Sequence, residues 1–142
     1  ILGMCFTQEH PKEHPSEHPE HPTEKSRNAI SADNLADALK NYVNADSKLK
    51  GGYFLVMDDK TDSVLKLRLK KIHKDRLSGI GKNTYFACAD FVTEEGKVYD
   101  LDLFMSGKVP ADLMITEVTV HKEDGKPRYS WYEKRGVWKR KY

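Results

Sequence analysis

Hydrophobic positions change their period along this chain, and each change marks a different kind of structure. Residues 8–28 contain none of Ala, Val, Ile, Leu, Met, Phe, Tyr, Trp or Cys. From Ile30 onward Leu35, Leu39, Tyr42 and Val43 recur three and four apart, opposite Asp33, Asp37 and Lys40. That is the period of an amphipathic helix. Ser31 is a good N-cap, and Ile30 and Leu35 have the spacing of a hydrophobic staple. The pattern predicts a helix from about Ala32 to Asn44 or Asp46, stopped before Gly51-Gly52.

After Gly52 the pattern is that of strands. Tyr53–Met57 is a short apolar run that ends in Asp58-Asp59-Lys60-Thr61-Asp62, which has turn chemistry. Leu65, Leu67 and Leu69 alternate with Lys66, Arg68 and Lys70, as in a half-buried strand with a basic outer face. Further strands fit residues 84–92, 97–105, 113–121, 127–133 and 136–140. Glu94-Glu95-Gly96, Glu123-Asp124-Gly125 and Lys134-Arg135-Gly136 each place a glycine where a hairpin wants positive φ. Links this short favour antiparallel neighbours. The expected fold is α+β: one N-terminal amphipathic helix packed on a curled antiparallel sheet of about five to seven strands. Residues 29–142 form its single domain, and residues 1–28 are a leader remnant and a disordered His/Pro-rich arm.

Composition sharpens this division. The arm holds Glu-His-Pro four times, and so four of the six histidines. Each proline lacks an N–H and pushes the preceding histidine toward extended backbone, so the arm cannot be a regular helix. It carries five acids against three bases, while residues 126–142 carry seven bases against Glu133. An acidic head and a basic foot follow, within a chain of net charge +2. No apolar run approaches the roughly 20 residues that span a bilayer. Ile1-Leu2-Gly3-Met4-Cys5-Phe6 has the character of the end of a signal peptide. Leu2-Gly3-Met4-Cys5 is similar to a lipobox, with Met4 where that motif has a small residue. The expected location is exported: periplasmic or attached to the cell envelope, with Cys5 as the candidate lipidated residue.

Histidine is the commonest metal ligand, which makes His10, His14, His18 and His21 the candidate metal ligands. In polyproline II geometry His18 and His21 share a face about 9 Å apart, too far for one ion with ligand bonds of about 2.0–2.1 Å. The arm must bend to chelate, so the expected site is adaptable and takes Zn, Cu or Ni with little selection. The competing reading is a stiff spacer.

Within the domain, His73, Cys88 and His121 are the other residues with ligand chemistry, near Asp90, Asp100 and Asp102. If Ala87 and Ala89 face the core, Cys88 points the other way, alongside Phe86 and Asp90. The plainer expectation is a packed cysteine, two surface histidines beside Lys74 and Lys122, and a solvated Asp100/Asp102 strand face. No GxSxG, P-loop, GxGxxG or HExxH element is present, so the expectation is a binding module, not an enzyme. Lys66, Arg68 and Lys70, with Lys139, Arg140 and Lys141 among aromatics, are candidates for an anionic polymer or lipid surface. For Tyr129 and Trp131, burial is the plainer expectation.

A helix followed by antiparallel strands resembles cystatin-like and NTF2-like domains. More narrowly, the chain resembles small exported bacterial proteins of uncharacterised function. The segments that carry this likeness are the Glu-His-Pro arm, Tyr85-Phe86-Ala87-Cys88-Ala89-Asp90-Phe91, Tyr99-Asp100-Leu101-Asp102 and Val120-His121-Lys122-Glu123-Asp124-Gly125. The resemblance implies location and architecture and brings no activity with it. The reading is a small exported binding module whose His-rich arm chelates transition metal. The alternative is a structural or interaction protein whose arm is a spacer and whose basic-aromatic face binds an anionic partner.

Overall fold

One face of a single helix organises most of the chain's apolar residues. The structure, a computed structural model, describes residues 29–135 and 137–142. His10, His14, His18, His21 and Cys5 lie outside the described residues. Helix α1 (Ala32–Lys48) starts at Ser31, whose Oγ accepts from the Asn34 amide at 3.1 Å while Asn34 Oδ1 accepts from the Ser31 amide at 2.9 Å. This reciprocal capping box satisfies two donors that a helix start leaves orphaned.

The strands are β1 (Phe54–Asp58), β2 (Ser63–Ile72), β3 (Ser78–Gly81), β4 (Thr84–Val92), β5 (Val98–Ser106), β6 (Met114–Glu123), β7 (Lys126–Pro127), β8 (Ser130–Lys134) and β9 (Val137–Lys141). The first seven form one antiparallel sheet in the order β1-β2-β4-β5-β6-β7, with β3 also paired to β4; β8 and β9 form a separate hairpin. The large sheet curls into a half-barrel around α1. Asp124 and Gly125 both have positive φ, 47° and 79°, as a two-residue type I′ turn requires.

Leu35, Leu39 and Val43 of α1 pack on Phe54, Val56, Leu65, Leu67, Ala87, Ala89, Phe91, Leu101, Leu103 and Met105. Each buried aliphatic side chain contributes about 1.5–3 kcal/mol of transfer free energy. Tyr42 differs from expectation: it is 40% exposed at the rim and meets Phe54 edge-on, while Ala36 is buried on the helix. Three further points depart from the sequence reading. Strand β3, Ser-Gly-Ile-Gly, has one apolar residue and no alternation to announce it; the basic alternation of β2 breaks at a bulge between Leu69 and Lys71; and Asp58 ends β1 pointing inward, fully buried. Arg128 Nη1 and Nη2 both donate to the Asp58 carboxylate, and Thr61 Oγ1 and the Lys60 amide add bonds at 2.9 and 3.1 Å. Arg128 also reaches Glu123 at 2.7 Å. Among the described residues no helix is long and apolar enough to cross a membrane.

Candidate metal centre

The opposite face of the sheet is built on a different chemistry. Cys88 of β4 lies opposite Asp102 of β5, and Asp90 lies opposite Asp100. Because side chains alternate, Ala87, Ala89, Leu101 and Leu103 face the helix, while Phe86, Cys88, Asp90, Asp100, Asp102 and Phe104 face outward. On β6 Thr119 pairs with Asp102. A bulge then pairs Leu101 with Val120 and Asp100 with Lys122, leaving His121 as the extra residue. The β8–β9 hairpin covers part of this face. Trp131 stands 5.8 Å ring to ring from both Phe86 and Phe104. Arg140 lies over Phe104, Tyr129 and Trp131 and bonds Glu117 at 3.0 Å.

Asp102 is 0% exposed. Its Oδ2 accepts from the Tyr129 hydroxyl at 2.6 Å and from Trp131 Nε1 at 3.0 Å. With the Tyr129 proton committed to Asp102, Thr119 Oγ1 is the donor in its 2.7 Å bond to the phenol oxygen. His121 stacks on Tyr129 with ring centroids 4.7 Å apart. Its Nε2 stands 3.1 Å from the Tyr129 carbonyl oxygen; a carbonyl only accepts, so Nε2–H donates. In the neutral ring Nδ1 is then a bare lone pair. That nitrogen and Asp102 Oδ1 are both buried without a hydrogen-bond partner, and they face each other at 3.6 Å.

Cys88 completes the floor. Its thiol donates to Asp100 Oδ1 at 2.6 Å, and burial, followed by the Asp100 carboxylate, pushes its pKa far above the usual thiol range. Burial and Asp102 likewise raise the Tyr129 hydroxyl. A single 3-10 turn, Lys74–Arg76, swings Arg76 back so that Nη1 lies 3.7 Å from Asp100 Oδ2. Cys88, Asp100, Asp102 and His121 each offer a ligand atom, all within 4.8 Å of one another; His73, Asp90 and Asp100 form a second such group. In the latter, His73 Nε2 already pairs with Asp90 Oδ1 at 3.0 Å. Above the first group lies a cleft of about 380 Å³, walled by Ile80, Phe86 and Trp131, with Asp75 and Arg76 also lining it.

Several expectations are thereby corrected. Asp100 and Asp102 are a buried pair, not a solvated strand face: Tyr129 and Trp131 lie on Asp102, and Cys88 and Arg76 lie on Asp100. His73 and His121 are not surface residues: their side chains keep 16% and 14% of their accessible area, each against a carboxylate. Arg140 is half-buried, held over three rings and paired with Glu117, whereas Lys66, Arg68, Lys70, Lys139 and Lys141 are exposed. Cys88 is buried and opposite to Ala87 and Ala89, as alternation predicts. The signal that could have joined Cys88 to Asp102 is hairpin register; the bulge that adds His121 has no sequence signature.

No family model, curated protein or solved structure matches the chain.

Proposed function

We propose that this chain is a small exported module that holds a transition metal ion, with a site in the folded domain formed by Cys88, Asp100, Asp102 and His121. One observation carries the reading: the partnerless Asp102 Oδ1 and His121 Nδ1, buried and 3.6 Å apart. Two lone pairs at that distance repel, and 3.6 Å is too long for a hydrogen bond. Two ligands of one tetrahedral zinc, each about 2.0–2.1 Å from the metal, stand about 3.4 Å apart. The pair therefore has the separation of two ligands that share an ion.

The supporting bonds fit the same reading. The Tyr129 carbonyl fixes the His121 tautomer, and Tyr129 and Trp131 orient Asp102, as outer partners do for metal ligands. Thiolate, imidazole and carboxylate together suit Zn best, with Cu and Ni as competitors. The arm histidines His10, His14, His18 and His21 are proposed as a second, weaker chelator. Export rests on Ile1–Phe6 alone; both stretches lie outside the described residues.

The test is a Co²⁺ titration of the full chain with His10, His14, His18 and His21 all changed to Asn. One tight equivalent, with a thiolate-to-cobalt absorption band, is expected, and Cys88→Ala and His121→Asn should each remove that band. Binding lost with the arm histidines, or a spectrum indifferent to Cys88, overturns the domain site. If no metal binds and His121 titrates as an imidazolium by NMR, the gap belongs to a proton.

A further inference from the structure

The metal reading leaves the cleft above the site unexplained, and its walls carry a second message. Ile80, Phe86 and Trp131 are each only partly covered, and they line an open space of about 380 Å³. Its polar groups are concentrated at the floor, where Cys88, Asp102 and His121 converge, and at the rim, where Asp75 and Arg76 stand. Apolar walls over a few convergent polar groups are what small-molecule sites have in common, and the volume lies within their usual range of about 300–1,000 Å³. A structural metal site needs no such opening; a site whose coordination expands to take an exchangeable ligand does.

Charge narrows the ligand. A divalent ion bound by a thiolate and two carboxylates leaves one net negative charge on the floor, which the neighbouring Arg76 offsets. A dianion is disfavoured there, and Asp75 at the rim disfavours it further. A neutral or singly charged head is accommodated. We infer that the cleft takes a small organic ligand with an oxygen donor head that enters the metal's coordination beside the protein ligands, expanding it beyond four, and an aromatic body that lies against Phe86, Trp131 and Ile80.

This inference rests on the metal reading, and the experiment separates the two. Co²⁺-loaded full chain carrying the four arm His→Asn changes is titrated with acetohydroxamate and with benzohydroxamate, two probes with the same donor head. The cobalt spectrum reports binding. The aromatic probe should bind about tenfold tighter or more, the effect of burying part of a ring. Phe86→Ala should erase that preference while the thiolate-to-cobalt band persists. Ile80→Ala, on the paired strand β3, should reduce the preference and serves where Phe86→Ala does not fold. Equal affinity for the two probes, or a preference that survives both wall changes, overturns the cleft while the metal site stands. No cobalt spectrum at all removes both.

Discussion

The two faces of the central strands carry alternate residues of the same sequence and reach opposite solutions. Toward α1, Ala87, Ala89, Phe91, Leu101, Leu103 and Met105 meet Leu35, Leu39 and Val43 in a layer with no ionisable side chain at its centre. On the other side Cys88, Asp100 and Asp102 occupy the intervening positions, equally buried but held by hydrogen bonds to one another and to Tyr129 and Trp131. The inner layer gains from area removed from water, without directional demands. The outer layer loses hydration that its polar groups must recover bond by bond. Two atoms there, Asp102 Oδ1 and His121 Nδ1, do not recover it. A domain stable by about 5–15 kcal/mol can carry such a deficit only because its other face is complete.

The strongest way to break this comparison is to damage the inner face. Leu39→Ala, at the 0% exposed centre of the helix stripe, should cost about 2–5 kcal/mol in denaturant melts. Lys40→Ala, one residue on and exposed, should cost under about 0.5 kcal/mol. Similar small losses would mean that the helix is peripheral and that the inner face is not the source of stability.

On the outer face the expected effect is smaller and shows in another observable. Asp102→Ala strips the acceptor from half-buried Trp131 Nε1 and from the Tyr129 hydroxyl, which keeps only Thr119 as a partner. The cost should be about 1–3 kcal/mol, with the near-ultraviolet dichroism of the aromatic layer altered. An unchanged aromatic signal would show that the hairpin does not depend on the carboxylate.

Acid distinguishes both faces from the ion pair at the end of β1. The Arg128 guanidinium holds Asp58 below its ordinary value of 3.8, at about 2. A depressed carboxyl contributes stability above its unfolded value and loses it as pH falls through the folded one. Between about pH 4 and pH 2 the domain should lose up to about 2 kcal/mol from this group. Asp58→Asn should flatten that part of the profile, and an identical slope in the variant would place the acid sensitivity elsewhere.

The smallest effect concerns protons. The raised Cys88 thiol is protonated in the metal-free protein at neutral pH, so Zn²⁺ binding should release about one proton. Calorimetry in buffers of different ionisation enthalpy reads this number, and Cys88→Ala should remove it. No release from the arm-substituted chain would exclude the thiol as a ligand.

The inner face was legible in the sequence because its cause is periodic: Leu35, Leu39 and Val43 announce the helix, and Leu65 and Leu67 announce strand alternation. The hairpin turns were legible too, since positive φ calls for Gly96 and Gly125. The outer face was legible only in part. Alternation puts Cys88 opposite to Ala87, but which residue of β5 meets it depends on register. His121 enters through a bulge, where two residues oppose one and period-two reasoning fails. Tyr42 misled because a helical stripe does not reveal where the sheet beneath it ends. Asp58 was read as a turn residue because its partner, Arg128, lies 70 positions away.

The β8–β9 hairpin is its own two-stranded sheet, joined to the larger one through side chains such as Trp131 and Arg140. A lone hairpin is marginal in water, so this one persists only while those anchors hold. In hydrogen exchange it should behave as a separate cooperative unit, with amides at Tyr132–Lys134 and Lys139–Lys141 exchanging through partial openings and those at Leu101 and Leu103 only on global unfolding. Asp102 anchors Trp131, so whatever stiffened the carboxylate would lengthen the closed time of a hairpin it never touched.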